Sequence, residues 1–125
     1  CIRVTGYLAD LRPTLEASCG LVVPLLSGGG MRVKILEALS LGLPVISTTI
    51  GAESINLENE KTGLLADTPQ EFAQSCLKLL NEPDLQVTLS NAGRQLALEQ
   101  YDFRKAYAPL TKIYSNLIPQ WDGWV

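Results

Sequence analysis

The chain has 125 residues, 13 of them acidic and 10 basic, with no histidine, a formal net charge of -3, and 46% hydrophobic against 18% charged residues. That is the size and composition of one globular domain with a real core, with neither a basic stripe for nucleic acid nor the mark of disorder. The missing imidazole excludes His-based triads, His metal sites and imidazole general bases within these residues.

The opening CIRVTGY reads as a strand at about residues 2 to 5, entered part-way, as expected of a piece of a longer protein. DLRPTLEAS follows as a short helix, with Asp10 as N-cap, Pro13 in the first turn, and Leu11 and Leu15 on one apolar face. GLVVPLL is a continuous apolar run, the signature of a strand at about 20 to 24 buried on both faces of a parallel sheet. MRVKILEALSLG then predicts a helix that buries Ile35, Leu36 and Leu39 and ends at Gly42.

LPVISTT gives a second buried strand at 44 to 47, IGAESI a glycine-started turn, and TGLLAD a third strand at 63 to 66. Alternating strands and helices imply right-handed crossovers and a parallel sheet. From Pro69 the pattern is helical throughout. One helix carries Phe72, Cys76, Leu79 and Leu80, a second carries Leu85, Leu89, Ala92 and Leu96, and a third carries Phe103, Tyr107, Leu110, Tyr114 and Leu117. Pro119 should stop the last helix, leaving QWDGWV, whose two tryptophans call for a docking partner. The expected fold is therefore α/β, a Rossmann-like parallel sheet flanked by helices, with an all-helical carboxyl third and no internal domain boundary.

Cys1, Cys19 and Cys76 are spaced for neither a disulfide framework nor a zinc site, which fits a reducing cytoplasm. No apolar run reaches the roughly 20 residues that span a bilayer, and no signal-peptide pattern opens the chain. Any membrane association would be peripheral and made by a part of the protein outside these residues.

The feature that asks for a ligand is PLLSGGGMRVKILEALSLGLPVIS, residues 24 to 47. A glycine-rich turn from a buried strand into a helix exposes backbone N–H groups at the positive end of the helix dipole, a ready site for phosphate. Gly28, Gly29 and Gly30 would let that backbone come close to the ligand, although the same turn with nothing bound is the plain alternative. The dinucleotide fingerprint fails at Val33, and no G-K-S/T ending makes a P-loop. At about 100° per residue Arg32 points to the same side as Leu39, so its guanidinium needs an anion, either a ligand phosphate or Glu53. Lys34 and Glu37 lie together on the polar side, where spacing alone reads as an exposed ion pair.

GGGMRVKILEALSLGLPVISTTIGAESI resembles the donor-binding segment of retaining, "group 1" glycosyltransferases of the GT-B fold. The resemblance extends from VTGYLADLRPTL to the final helix, and in such enzymes this is the later part of the carboxyl-terminal, Rossmann-like domain. It implies that the glycine loop lies against the diphosphate and sugar of a nucleotide-diphosphate sugar, which is a substrate, so that no separate cofactor and no metal are expected. It also implies that Glu37 accepts hydrogen bonds from both ribose hydroxyls, a task suited to a carboxylate. The amides of Gly29 to Met31 would hold sugar hydroxyls or phosphate oxygens, the segment GYLAD with Gly6 and Tyr7 would border the base, and Arg32 and Lys34 would add positive charge near the diphosphate.

Many members carry an E-x7-E pair whose first glutamate touches the donor sugar. Eight residues before Glu37 this chain has Gly29, so donor-sugar contacts would come from backbone. The family's amino-terminal acceptor domain is not among these residues. The resulting expectation is the donor half of a metal-independent transferase in polysaccharide or glycoconjugate synthesis. A non-catalytic nucleotide-binding or docking subunit of the same fold stands as the alternative. A sugar-nucleotide epimerase is disfavoured by KILEALSLGLPVIS.

Overall fold

The computed structural model describes residues 2–118. Cys1 and the tail from Pro119, with its expected helix stop and both tryptophans, lie outside them. The elements in chain order are α1 (Arg12–Glu16), β1 (Leu21–Val23), α2 (Val33–Ser40), β2 (Val45–Ser47), β3 (Leu64–Leu65), α3 (Pro69–Asn81), α4 (Pro83–Leu96), a π-helical turn (Ala97–Tyr101) and α5 (Phe103–Leu117).

The three strands form one parallel sheet in the order β1-β2-β3, with Val23 opposite Ser47 and Ile46 opposite Leu64. Because successive side chains on a strand point to opposite faces, β2 feeds two cores. Val45 packs with Val23, Ile35, Ala38, Leu39, Leu96 and Ala97 under α2 and the π turn. Ile46 packs with Leu64, Leu79 and Leu89 under α3 and α4. Both faces of the central strand are sealed, and its apolar run follows from that.

The helix ends show local chemistry at work. α2 closes in a Schellman motif: the Leu43 amide donates to the Ala38 carbonyl at 2.8 Å and the Gly42 amide to the Leu39 carbonyl at 2.9 Å. Gly42 sits at φ +73°, where any side chain would be strained. α3 opens with a capping box in which the Thr68 hydroxyl accepts from the Glu71 amide and the Glu71 carboxylate from the Thr68 amide. α4 then crosses α2 closely, with Gly93 seated against the Leu39 side chain.

Four expectations need correction. β1 is not buried on both faces: Val23 is buried but Val22 is 51% exposed, because none of the described helices covers that side of the edge strand. Residues 2–5 form no strand; Ile2 and Val4 are about nine-tenths exposed, and β1 has no partner on the side away from β2 among the described residues. An apolar, β-branched run is only a potential strand until another strand completes its ladder. Asp10 does not cap α1; the cap residue is Leu11, and the Asp10 carboxylate instead accepts the Arg12 amide at 3.0 Å, a turn-forming bond one residue earlier. The last helix is present, but its apolar positions are exposed, including Tyr107, Leu110, Tyr114 and Leu117. No described helix is long and apolar enough to cross a membrane.

Candidate functional site

The glycine loop leaves the carboxyl end of β1, the side on which open parallel sheets present their ligand-binding loops. Its shape depends on left-handed backbone: Gly28 has φ +122° and Gly30 φ +86°. The exit from β1 is held by Thr48, whose hydroxyl donates to the Leu25 carbonyl and accepts the Gly51 amide at 2.9 Å. Loops at the ends of β1 and β2 are thereby tied side by side.

Arg32 is the N-cap residue of α2, and its side chain makes no capping bond to the first turn. The amides of Met31, Val33 and Lys34 therefore meet no acceptor among the described residues and stand open at the positive end of the dipole. The guanidinium of Arg32 folds back over the loop and donates to the Gly29 carbonyl at 2.9 Å, while its Nε is buried without a partner. Arg32 lies outside the helical phase, as the residue before α2, and Glu53 is not its counter-ion; a backbone carbonyl takes that place. A buried donor without an acceptor is costly. In this form the loop offers one cation whose hydrogen-bonding capacity is only partly used.

Lys34 and Glu37 form no ion pair, and neither side chain has a partner among the described residues. The surface-pair alternative is thus not what the structure contains. Glu37 stands exposed on a ridge of α2 between two clefts. One, of about 340 Å³, is bounded by Leu8, Ala9, Asp10 and Leu11 with Ser40 and Leu41. The other, of about 390 Å³, is bounded by Leu98, Tyr101 and Phe103 at the π turn. The GYLAD segment does come beside Glu37, though through Leu8, Ala9 and Asp10. Gly6 (φ +69°) and Tyr7, which is almost fully exposed, do not line that cleft.

The glycine-loop residues line neither cleft. They share α2 with Glu37: the loop meets the helix at its first turn, and Glu37 lies one turn further on, about 6 Å along the axis. The arrangement can accept an anion at the open amides and a diol at the carboxylate. Among the described residues no group of three or more Cys, Asp or Glu side chains is placed to hold a metal ion.

Sequence reasoning passed over Ser54, which joins the turn after β2 to the glycine loop. Its hydroxyl accepts the Arg32 amide at 3.2 Å and lies 3.4 Å from the Gly30 carbonyl. A serine in IGAESI has no periodicity or spacing that points to a partner 22 residues away. Tyr101 escaped notice in the same way; its hydroxyl accepts the Asn56 amide at 2.9 Å and fastens the π turn to the loop between β2 and β3.

The family profile described as "Glycosyl transferases group 1" matches residues 1–82. The chain belongs to that family. Among relatives of this group 1 chain, glycosyltransferase 1 domain-containing protein 1 of Xenopus tropicalis is 42% identical over 87 residues, 69% of this chain and 25% of the relative. A probable sucrose-phosphate synthase of Thermosipho melanesiensis is 36% identical over 84 residues, 67% of this chain and 18% of the relative. The group 1 chain thus spans a quarter or less of these two relatives.

Two solved structures share the fold. The sucrose-phosphate synthase of Thermosynechococcus elongatus superposes with a TM-score of 0.71 at 22% identity, over 87% of this chain and 28% of that one. The C-terminal domain of a group 1 family glycosyl transferase from Francisella tularensis gives 0.67 at 23% identity, over 78% and 52%. The group 1 chain has the expected GT-B carboxyl-terminal architecture, a parallel sheet with flanking helices.

Proposed function

We propose that residues 1–125 are the donor-binding part of a glycosyltransferase that moves a sugar from a nucleotide-diphosphate sugar to an acceptor with retention of configuration, in polysaccharide or glycoconjugate synthesis. The observation that carries this is the pairing, on one helix, of a partner-free carboxylate at Glu37 with open amides one turn away at the glycine loop. That spacing is on the scale of a nucleotide's ribose and diphosphate. Family membership supports glycosyl transfer in general.

In this reading the Glu37 carboxylate accepts the ribose hydroxyls, with the base lying toward Leu8, Ala9 and Asp10. The amides of Met31, Val33 and Lys34 face the diphosphate. As the glycosidic bond breaks, the leaving diphosphate gains charge, and these preorganised dipoles stabilise it without having to reorient. Lys34 is exposed nearby and adds a mobile positive charge. Arg32 contributes only after exchanging the Gly29 carbonyl for a phosphate oxygen, a stronger acceptor for a guanidinium. The acceptor is held by a part of the protein outside these residues.

The absence of a glutamate at Gly29 favours a second reading, a nucleotide-binding or docking subunit without catalysis. Titration of nucleoside diphosphates into wild type and Glu37→Gln tests the site common to both readings. Loss of charge-assisted bonds to the ribose should weaken binding by about 1.5–3 kcal/mol while the melting temperature stays put. A 2′-deoxynucleotide should bind wild type more weakly and the variant little worse than the ribonucleotide. Equal affinities for both proteins would remove Glu37 from the site. Sugar transfer by the full-length enzyme, present or absent, separates the two readings.

A further inference from the structure

We infer that Ser54 is a positioning residue for the diphosphate end of the donor site, acting through the glycine loop; this rests on the donor-site reading above. Three glycines give residues 28 to 30 wide conformational freedom, and a site made of amides works only if those amides hold one direction. Something outside the loop must supply that constraint.

Three tethers are present. The Arg32 guanidinium bonds the Gly29 carbonyl. That tether comes from within the loop, and it is given up if Arg32 turns to a phosphate. The Thr48 hydroxyl fixes Leu25, at the start of the loop. Only Ser54 reaches the far end, where the loop becomes α2. Its hydroxyl oxygen accepts the Arg32 N–H at 3.2 Å, and its own hydrogen points to the Gly30 carbonyl at 3.4 Å. One hydroxyl thus holds the two peptide groups on either side of Met31, and so sets the direction of the Met31 amide and of the first amides of α2.

The bond to the Arg32 amide also performs a capping task that no local side chain performs. In a capping box, the residue at N3 reaches back to the N-cap amide. Here N3 is Ile35, which has no polar group, and the N-cap amide is satisfied by a serine from another loop. Ser54 is half-buried, and its neighbours Gly51, Ala52 and Ile55 are buried, so the donating loop is itself anchored. Ser54 touches no substrate in this scheme; it acts through the backbone it holds.

The test uses Ser54→Ala and Ser54→Thr, with inorganic pyrophosphate and the tightest-binding nucleoside diphosphate as probes. For Ser54→Ala, affinity for both probes should fall about three- to tenfold, the worth of one hydrogen bond. Affinity for the matching nucleoside, which reports only the Glu37 end, should change less than twofold. Ser54→Thr keeps the hydroxyl and should recover most of the loss. Full pyrophosphate affinity in Ser54→Ala, or equal losses for nucleoside and pyrophosphate, would overturn the assignment while leaving the donor site standing. Loss of the fold in Ser54→Ala would also overturn it, since the hydroxyl would then hold the domain rather than the loop. If wild type binds neither probe, the donor reading itself fails, and the role of Ser54 falls with it.

Discussion

Thr49 and Asp67 are joined twice: the Thr49 amide donates to one carboxylate oxygen at 2.7 Å and its hydroxyl to the other at 2.6 Å. One side chain thereby clamps the exits of β2 and β3, on the side of the sheet that carries the glycine loop. The hydroxyl bond first, then the amide bond, hold the Asp67 carboxyl below its ordinary pKa. Glu71, which accepts from Thr68 and from the Asp67 amide, is lowered as well.

The sign of the resulting pH dependence follows from linkage. Both groups have folded pKa values below their unfolded ones, so their stabilisation is complete near neutral pH. It is lost as pH falls below about 4, where the unfolded chain takes up protons first and the folded chain follows. In a series of thermal melts from pH 7 to pH 3, wild type should lose more stability than Asp67→Asn. Parallel curves for the two proteins would refute the linkage.

Gly93→Ala sets two known effects against each other. Alanine is favoured over glycine in a helix by about 1 kcal/mol. At Gly93, however, a Cβ would lie 2.7 Å from Leu39 Cδ2 and 3.2 Å from the Thr62 carbonyl. The leucine tip can rotate, but the carbonyl belongs to a fixed turn, and overpacking costs about 1–3 kcal/mol. The net expectation is destabilisation, measured by denaturant midpoint. Combining it with Leu39→Val should give less than the sum of the single effects, because the two changes share one contact. A stabilised Gly93→Ala would show that α4 shifts freely on α2.

Residues 1–125 on their own should not transfer sugar. Reaction requires an acceptor held in line with the anomeric carbon, and that alignment accounts for a large part of such rate enhancements. Incubating the purified chain with nucleotide-sugars and simple acceptors should give no product above a blank, even where nucleotide binds. Measurable turnover would show that these residues alone align an acceptor.

Much of this structure was legible in the residues, and the misses share a cause. Apolar runs at about 20–24, 44–47 and 63–66 read as strands because each has an unbroken apolar stretch that the sheet uses, and Pro69 marked a helix start. The strand expected near residues 2–5 failed because pairing is a property of two segments and the sequence displays only one. Leu96 and Phe103 are seven residues apart, the spacing of one continuous stripe, yet Leu96 is 7% and Phe103 66% exposed. The π turn and the extended Asp102 between them break the helical phase, which no count of apolar positions reveals. At the candidate site the glycines were visible as a turn before a helix, whereas spacing alone paired Glu37 with Lys34 and only the family resemblance pointed it to a ligand. The Arg32–Gly29 and Ser54–Arg32 bonds were not visible, because they depend on how two loops meet.

The strand order has a consequence for motion. Among the described residues β2 alone is hydrogen-bonded on both sides, and its three residues are fully covered, whereas β1 and β3 each have one pairing. Local opening can peel either outer strand without disturbing the other, but freeing the ladder amides of β2 requires breaking into both cores at once. Deuterium should therefore reach the open amides of Met31, Val33 and Lys34 early, the bonded amides of the loop bearing Ser54 later, and the middle of the sheet only with global unfolding. The ligand-facing rim can breathe while its foundation stays shut.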